Sequence, residues 1–484
     1  MNASPSSGSA ADPSFQDARS TGWAGQPALL VGMGVWLAIM ILYWPTALSF
    51  GDDVGYLGEA RVLLAGHVRP RVGDIGVWVA SAHGRLPKYP LLFSLLLLPL
   101  VAATPKAAFA LGMAAAVGTA WLGGRILRSW GKNPVWALLL IAHPTVVLLA
   151  RTVMADLPLT VFAIGAWWAS RQHRRVATVV FFTGLLAIKA TGFVVGLALA
   201  SGELLRLLPN LRRRERDAWS RVGTIAIGLL AGFALLFVTN EISAGGPWFA
   251  YDNSFLGTPP FWITYFAKSA PAHLRTVLLL PPLLIAGALP FWRRREWGPL
   301  CLIFGFGTLM CFYFFVDTGT TRLESLILAP RLVLPIVSFL LIGYADLLAT
   351  AAGRLGLDER FIAPALIAGT AAVALVIGLR HHAWQSPMAD ALQTAQAVTR
   401  DLDVHDLGVT PEAVKAGIMF PGTVRLAEPG LSQSKVVLCS LRSASYRQPN
   451  DGPHSCNWPG YREYRRVGDY EILVRQPRTS GTSP

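Results

Sequence analysis

Long apolar runs, broken by short polar ones, dominate this chain. The first covers about Ala28 to Leu48, close to the roughly 20 residues an α-helix needs to cross a bilayer. Others follow at about 106–126, 134–150, 157–171, 176–190, 191–208, 222–240, 274–292, 298–316, 330–350 and 361–379. One more apolar run, 90–101, is short and bounded by prolines; its length fits either a span or a helix lying along the surface. The basic clusters decide between them. If 90–101 does not span, Arg125/Arg128/Lys132, Arg171/Arg174/Arg175, Arg212/Arg213/Arg214/Arg216/Arg221, Arg293/Arg294/Arg295 and Arg354/Arg360 fall on one face, and Lys and Arg mark the cytoplasmic face. The pattern thus predicts an all-α polytopic membrane protein of about eleven transmembrane helices. Its N-terminus is inside, its C-terminus outside, and 90–101 is a surface or re-entrant helix in the first outer loop.

The ends differ from the middle. Residues 1–27 are rich in Ser, Ala and Gly and read as a disordered cytoplasmic tail. The first apolar run lacks the basic flank of a signal peptide, so it reads as a retained anchor although Ala47-Leu48-Ser49 weakly resembles a cleavage site. After the transmembrane region, 28–379, residues 380–484 are polar and of domain size. They hold a helical stretch from Met388 to Leu402 and strand-like runs at Val436 to Leu438 and Tyr470 to Val474, which predicts a small extracytoplasmic α/β domain. No internal repeat is visible, which counts against a repeat-built transporter.

Composition agrees with a membrane protein: mean hydropathy is +0.46 and 14% of residues are charged, against about a quarter in soluble domains. The net charge of +14 sits in short loops between apolar runs, where topology and anionic lipid head groups explain it better than nucleic acid does. Cys301 and Cys311 read as small core residues. Cys439 and Cys456 lie in the polar part, where a disulfide and two free thiols are both open readings.

The candidate chemistry lies where spans end on the non-cytoplasmic face, which receives Asp52, Asp53, Lys88, Arg151, Asp156, Lys189, the 241–273 loop, Arg322, Glu324 and Arg331. In Ser49-Phe50-Gly51-Asp52-Asp53-Val54-Gly55-Tyr56, two adjacent carboxylates stand where the first run gives out. Holding charge there is costly, so catalysis and the capping of the following helix are both open. Asp156 can cap the next span, with Pro158 in its first turn, and still offer an oxygen to a ligand. Lys88 and Lys189 could snorkel to the interface, although Thr191 and Gly192 suggest a helix break that would free Lys189 for a ligand. Arg331 suits bidentate capture of phosphate, with an interface anchor as the alternative. His143-Pro144 reads as a kink, and His381, His382 and His454 lack metal-ligand spacing. No Walker loop, dinucleotide fingerprint or Ser/His/Asp set is present. Outward carboxylates beside outward cations suit a reaction in which a lipid phosphate is held while a proton leaves an incoming nucleophile.

These motifs, in this order, resemble the membrane-embedded C-type glycosyltransferases that use polyprenyl-phosphate sugars, a group that includes protein O-mannosyltransferases and the lipid A aminoarabinose transferase. Asp52-Asp53-Val54-Gly55-Tyr56 is similar to their Asp-acidic-x-x-Tyr motif, and Leu86-Pro87-Lys88-Tyr89-Pro90-Leu91 to a Lys-x-Pro stretch opening a juxtamembrane helix. Arg151 to Leu159 resembles their second outer loop, and Pro330-Arg331-Leu332-Val333-Leu334-Pro335 a late Arg-to-Pro motif. The resemblance covers roughly residues 28 to 350. Asp53 stands where Glu is more usual, and Tyr89 where many relatives have Pro. The resemblance implies an inverting hexosyl or pentosyl transfer from a polyprenyl-phosphate donor to a lipid, polysaccharide or protein acceptor at the outer face of the cytoplasmic membrane. It implies Asp52 as general base, Asp53 and Asp156 as its partners toward the acceptor or a metal, Tyr56 as a substrate contact, and Lys88, Arg151, Lys189 and Arg331 as counter-charges to the donor phosphate. Carboxylates from separate loops could bind a divalent metal ion or serve the acceptor alone; both readings stay open. The rival class is a transporter or flippase of a lipid-linked saccharide, which calls for polar residues at mid-span.

Overall fold

The computed structural model describes residues 25–71, 74–76, 78–81, 84–87, 89–246, 261–313, 326–427, 433–441 and 456–476. Helix α1 (Gly25–Leu42) is apolar after Gln26 and gives way to Tyr43-Trp44-Pro45, because a proline pushes the residue before it out of helical conformation. Next come α2 (Gly51–Leu64) and α3 (Leu91–Ala103), joined through a small antiparallel hairpin, β1 (Trp78–Ser81) and β2 (Gly84–Pro87). These two helices pack together: Tyr56 meets Phe93 edge-on with ring centres 4.7 Å apart, and Ser94 Oγ donates to Glu59 Oε2 at 2.7 Å. Gly58 is required here, since a Cβ would lie 2.2 Å from the carbonyl oxygen of Ile75.

Helix α4 (Phe109–Ser129) starts where α1 stops, with Trp44 Nε1 donating to the Lys106 carbonyl at 3.1 Å. It ends where α1 begins, with Arg128 Nη1 donating to Gln26 Oε1 at 3.1 Å. The stretch between the two helices therefore makes no net crossing. The run 134–150 is broken at His143, whose extended backbone separates α5 (Leu138–Ala142) from α6 (Pro144–Leu149). Four helices follow closely: α7 (Asp156–Arg171), α8 (Arg175–Ile188), α9 (Thr191–Arg212) and α10 (Arg216–Ala244). Later come α11 (Phe266–Leu279), α12 (Ala288–Arg293), α13 (Trp297–Met310), α14 (Leu334–Arg354) and α15 (Glu359–Asp401).

Among the described residues, six helical segments are long and apolar enough to cross a membrane: α1, Pro105–Ser129, α9, Arg216–Ser243, Leu326–Arg354 and α15. The expectation of eleven is not reached by this measure. The remaining runs form helices that are short, such as α8 and α13, or interrupted, as at His143 and between α11 and α12. Helix α14 is the central post, with Phe339 set between Trp167 and Phe291 at ring-centre distances of 5.6 and 6.0 Å. The end away from Asp52 gathers the basic clusters into ion pairs: Arg294 bridges to both oxygens of Asp346, and Arg171 pairs with Glu296 at 2.8 Å.

Helix α15 has 43 residues, about 65 Å at 1.5 Å per residue, roughly twice the hydrocarbon thickness. It runs unbroken through residue 380, where hydropathy alone placed a domain limit, and the expected helix Met388 to Leu402 is its last part. Met388, Ala391, Leu392, Ala395 and Val398 are buried. This part of α15 packs on a five-stranded sheet of order β4-β3-β5-β7-β6, made of β3 (Asp406–Val409), β4 (Thr423–Leu426), β5 (Val436–Ser440), β6 (Tyr461–Val467) and β7 (Tyr470–Arg475). The β3 strand runs parallel to β4 and β5, while β7 is antiparallel to β5 and β6. Cys439 and Cys456 are joined in a disulfide.

One arginine docks this domain. Arg61 of α2 donates to the carbonyls of Ile418 (3.0 Å), Phe420 (2.8 Å) and Gly422 (2.5 Å). Arg61→Ala would strand three acceptors at once, each costing about 1–3 kcal/mol if it stays dry. The expected result is a fall of several degrees in the thermal midpoint of the detergent-purified protein, with earlier proteolysis after residue 402. A midpoint equal to wild type would show that the docking rests elsewhere.

Candidate active site

Several segments converge at the N-terminus of α2. Phe50 is extended, with φ −117° and ψ 158°, so the chain enters the helix at a sharp angle and two backbone N–H groups face the first turn. Asp53 takes both: its Oδ2 accepts from Ser49 at 3.1 Å and Phe50 at 3.0 Å. Its Oδ1 accepts from the Val153 N–H at 3.1 Å, which ties the loop between α6 and α7 to α2. Asp53 is fully buried. Burial pushes its carboxyl up to about 7 against the opposing pull of the Phe50 and Ser49 N–H groups. The sequence left capping and chemistry open for this pair; in the fold the capping geometry belongs to Asp53.

Asp52 faces elsewhere, because neighbours on a helix are about 100° apart. Its Oδ1 accepts a short hydrogen bond from Tyr89 Oη, and its Oδ2 accepts from Arg331 Nη2 at 2.9 Å. The Asp52 side chain is 28% exposed, whereas Asp53 is buried and the Asp156 side chain is 4% exposed. Burial and the adjacent Asp52 hold the Tyr89 phenol far above its ordinary range, so it remains a donor. Tyr56 lies behind it, stacked on Tyr89 with ring centres 4.3 Å apart; in this state it sets the Tyr89 ring and is itself buried.

Arg331 arrives from the short turn Ala329–Val333 that leads into α14. Its guanidinium also meets Met154 Sδ at 3.8 Å and lies 5.6 Å from the Phe50 ring centre. The Asp52 pair and the loop 151–156 are thus linked twice, through Val153 and through Met154. Asp156 opens α7 at the end of that loop and receives Lys189 Nζ at 2.6 Å. The expected break between α8 and α9 is present: Lys189 is extended, with φ −149° and ψ 142°. Gly192 permits it, since a Cβ there would lie 1.8 Å from the Leu185 carbonyl oxygen.

Two expected residues remain. Lys88 lies outside the described residues. Arg151 is fully buried and turns toward α15, where its Nε donates to His381 Nδ1 at 3.0 Å. Its two terminal nitrogens are buried without a hydrogen-bond partner among the described residues. His381 also contacts Ser49 Oγ, and Gln385, one turn on, bonds the Ala47 carbonyl and the Thr46 N–H. Sequence reasoning weighed His381 only as a metal ligand and passed over Gln385; their i, i+4 spacing on an apolar helix was the available signal. Among the described residues no three His, Cys, Asp or Glu side chains gather as a metal site. The Asp53 oxygens are held by N–H donors and Asp156 by an ammonium, a donor set that does not fit a divalent cation as it stands. A cavity of about 380 Å³ opens along the later turns of α2, lined by Gly58, Arg61, Val101, Thr104 and Gly422 among others.

No protein-family model matches the chain, and no curated protein matches it either. Solved structures do. ArnT from Cupriavidus metallidurans bound to undecaprenyl phosphate superposes with a TM-score of 0.59 at 11% identity, covering 95% of this chain and 100% of that one. The same protein in the apo state gives 0.57 at 14% identity, over 93% and 98%. At such identities the likeness establishes the fold: this chain has the architecture of ArnT along nearly its whole length.

Proposed function

We propose that the protein is an integral-membrane glycosyltransferase that moves a sugar from a polyprenyl-phosphate carrier to a cell-envelope acceptor on the non-cytoplasmic face. The observation that carries this reading is Asp52, a partly exposed carboxylate held between a phenol and a guanidinium at a helix N-terminus. The fold shared with a protein crystallised with undecaprenyl phosphate supports the donor class. Asp52 takes the proton of the acceptor's nucleophile, which attacks the anomeric carbon from the side opposite the carrier phosphate. A bond forms from acceptor to sugar, the bond from sugar to phosphate breaks, and the freed carrier phosphate takes the electron pair. Arg331, with Lys189 and Lys88, holds the charge that gathers there. Asp53 fixes the backbone on which Asp52 is mounted, and Asp156 sets Lys189. Arg151, bonded to His381, supports the loop. No step here passes through a metal ion.

Sidedness rests on two supports. The disulfide domain docks at the Asp52 end through Arg61, and disulfides persist in oxidising compartments. Arg128, Arg171 and Arg294 sit at the other end, as cytoplasmic ends do. Mass spectrometry of envelope lipids and glycans, with and without the protein, tests the reading. The expected result is one glycan or lipid short of a single sugar, together with a build-up of the sugar-loaded carrier. Unchanged glycans, or an intact lipid-linked saccharide stalled on one side of the membrane, would replace this reading with transport.

A further inference from the structure

The C-terminal domain reaches the carboxylate pair itself. A short helix, Val414–Gly417, follows β3, and the carbonyl of its Lys415 accepts the N–H of Leu48 at 3.2 Å. The next residue but one along α2's approach, Phe50, and the one between, Ser49, both donate their N–H to Asp53. Arg61 then clasps the carbonyls of 418, 420 and 422, so residues 415–422 are fixed to α2 both ahead of its first turn and on its third. Lys415 cannot swing away with a mobile domain.

Its side chain is half-buried. Among the described residues it has no ion pair and no acceptor for its ammonium group. Burial lowers its pKa, and the nearby Asp53 acts in the opposite direction, yet the Asp53 oxygens are already engaged by three N–H groups. An ammonium has three donors to place, and a half-buried one with no protein acceptor is open to an anionic ligand. Charge points the same way. Arg331 is already engaged by Asp52 and Lys189 by Asp156, so a phosphate arriving there gains from a further cation that no carboxylate holds.

We propose that Lys415 binds the phosphate of the lipid carrier, making the C-terminal domain part of the donor site. This rests on the function proposed above. It is tested on the full-length protein in nanodiscs, with undecaprenyl phosphate, undecaprenol and inorganic phosphate as probes. In the wild type, undecaprenyl phosphate should slow acylation of Lys415, read by peptide mass spectrometry, at least fivefold, and undecaprenol should not. Slowing by millimolar inorganic phosphate as well would show that the lysine reads phosphate whatever its source; slowing by the lipid phosphate alone would show that the chain must seat first. Lys415→Gln should weaken undecaprenyl phosphate binding about tenfold or more, as the loss of one charge-assisted hydrogen bond does, while Lys415→Arg should stay within about threefold of wild type. Equal protection by undecaprenol, unchanged labelling on a wild type that binds the lipid phosphate, or a folded Lys415→Gln variant with wild-type affinity overturns the assignment of Lys415 alone. A wild type that does not bind undecaprenyl phosphate overturns the donor class with it.

Discussion

Asp52→Asn is expected to cut transfer by about 10²–10⁴-fold, the range over which a positioned general base acts, while the protein folds normally and still binds its carrier. The substitution is nearly isosteric, and its remaining carbonyl oxygen can serve either Tyr89 or Arg331, the two partners of Asp52 in the structure. The Asp52 side chain is partly exposed, but its partner Arg331 is buried and loses a carboxylate charge, so the thermal midpoint should fall somewhat while the fold is kept. What disappears is the capacity to take up a proton. Removing a negative charge near the carrier's phosphate should leave undecaprenyl phosphate affinity unchanged or tighter. Turnover should be followed with a sugar-loaded carrier and the acceptor identified by mass spectrometry. A variant retaining more than a tenth of wild-type turnover would remove Asp52 from the role of base, and Asp156, the next carboxylate along, would inherit the question.

The architecture was legible where hydropathy and helix punctuation agree. The break at His143-Pro144, the extended residue at Lys189 and the strands at Val436 and Tyr470 all follow from local chemistry. The continuity of α15 was not legible, because apolarity falls near residue 380 and Pro387 invites a stop, whereas packing on the sheet keeps the helix going. Which of Asp52 and Asp53 caps α2 was equally hidden in the local pattern. Both residues fit a cap and both fit a base; only the extended Phe50 and the approach of Val153 decide which carboxylate meets the N–H groups. Arg151 read as outward because it ends a span, yet α15 covers it, and no local pattern reports that helix 230 residues further along. Contacts of that separation, including Arg61 with residues 418–422, define the site and leave almost no trace in the sequence around either partner.

Arg331→Met should lower kcat/KM by about 10²–10³-fold, the cost of removing a donor aimed at charge that develops in a transition state. In the resting structure Arg331 spends its Nη2 on Asp52. A carrier phosphate arriving beside it would compete for that guanidinium, and each step of Arg331 toward the phosphate would uncover Asp52 Oδ2 for the acceptor's proton. On the proposed mechanism the same arginine would keep the base covered when no donor is present and stabilise the leaving group when one is. Arg331→Met should damage both functions and lower kcat as well as raise KM. Arg331→Lys should recover only part of the loss, since a single ammonium lacks the planar fork that can touch a carboxylate and a phosphate together. Steady-state kinetics with separate titrations of donor and acceptor would check this. A rise in donor KM with kcat preserved would reduce Arg331 to a ground-state anchor, and full rescue by Lys would dispose of the shared-fork geometry.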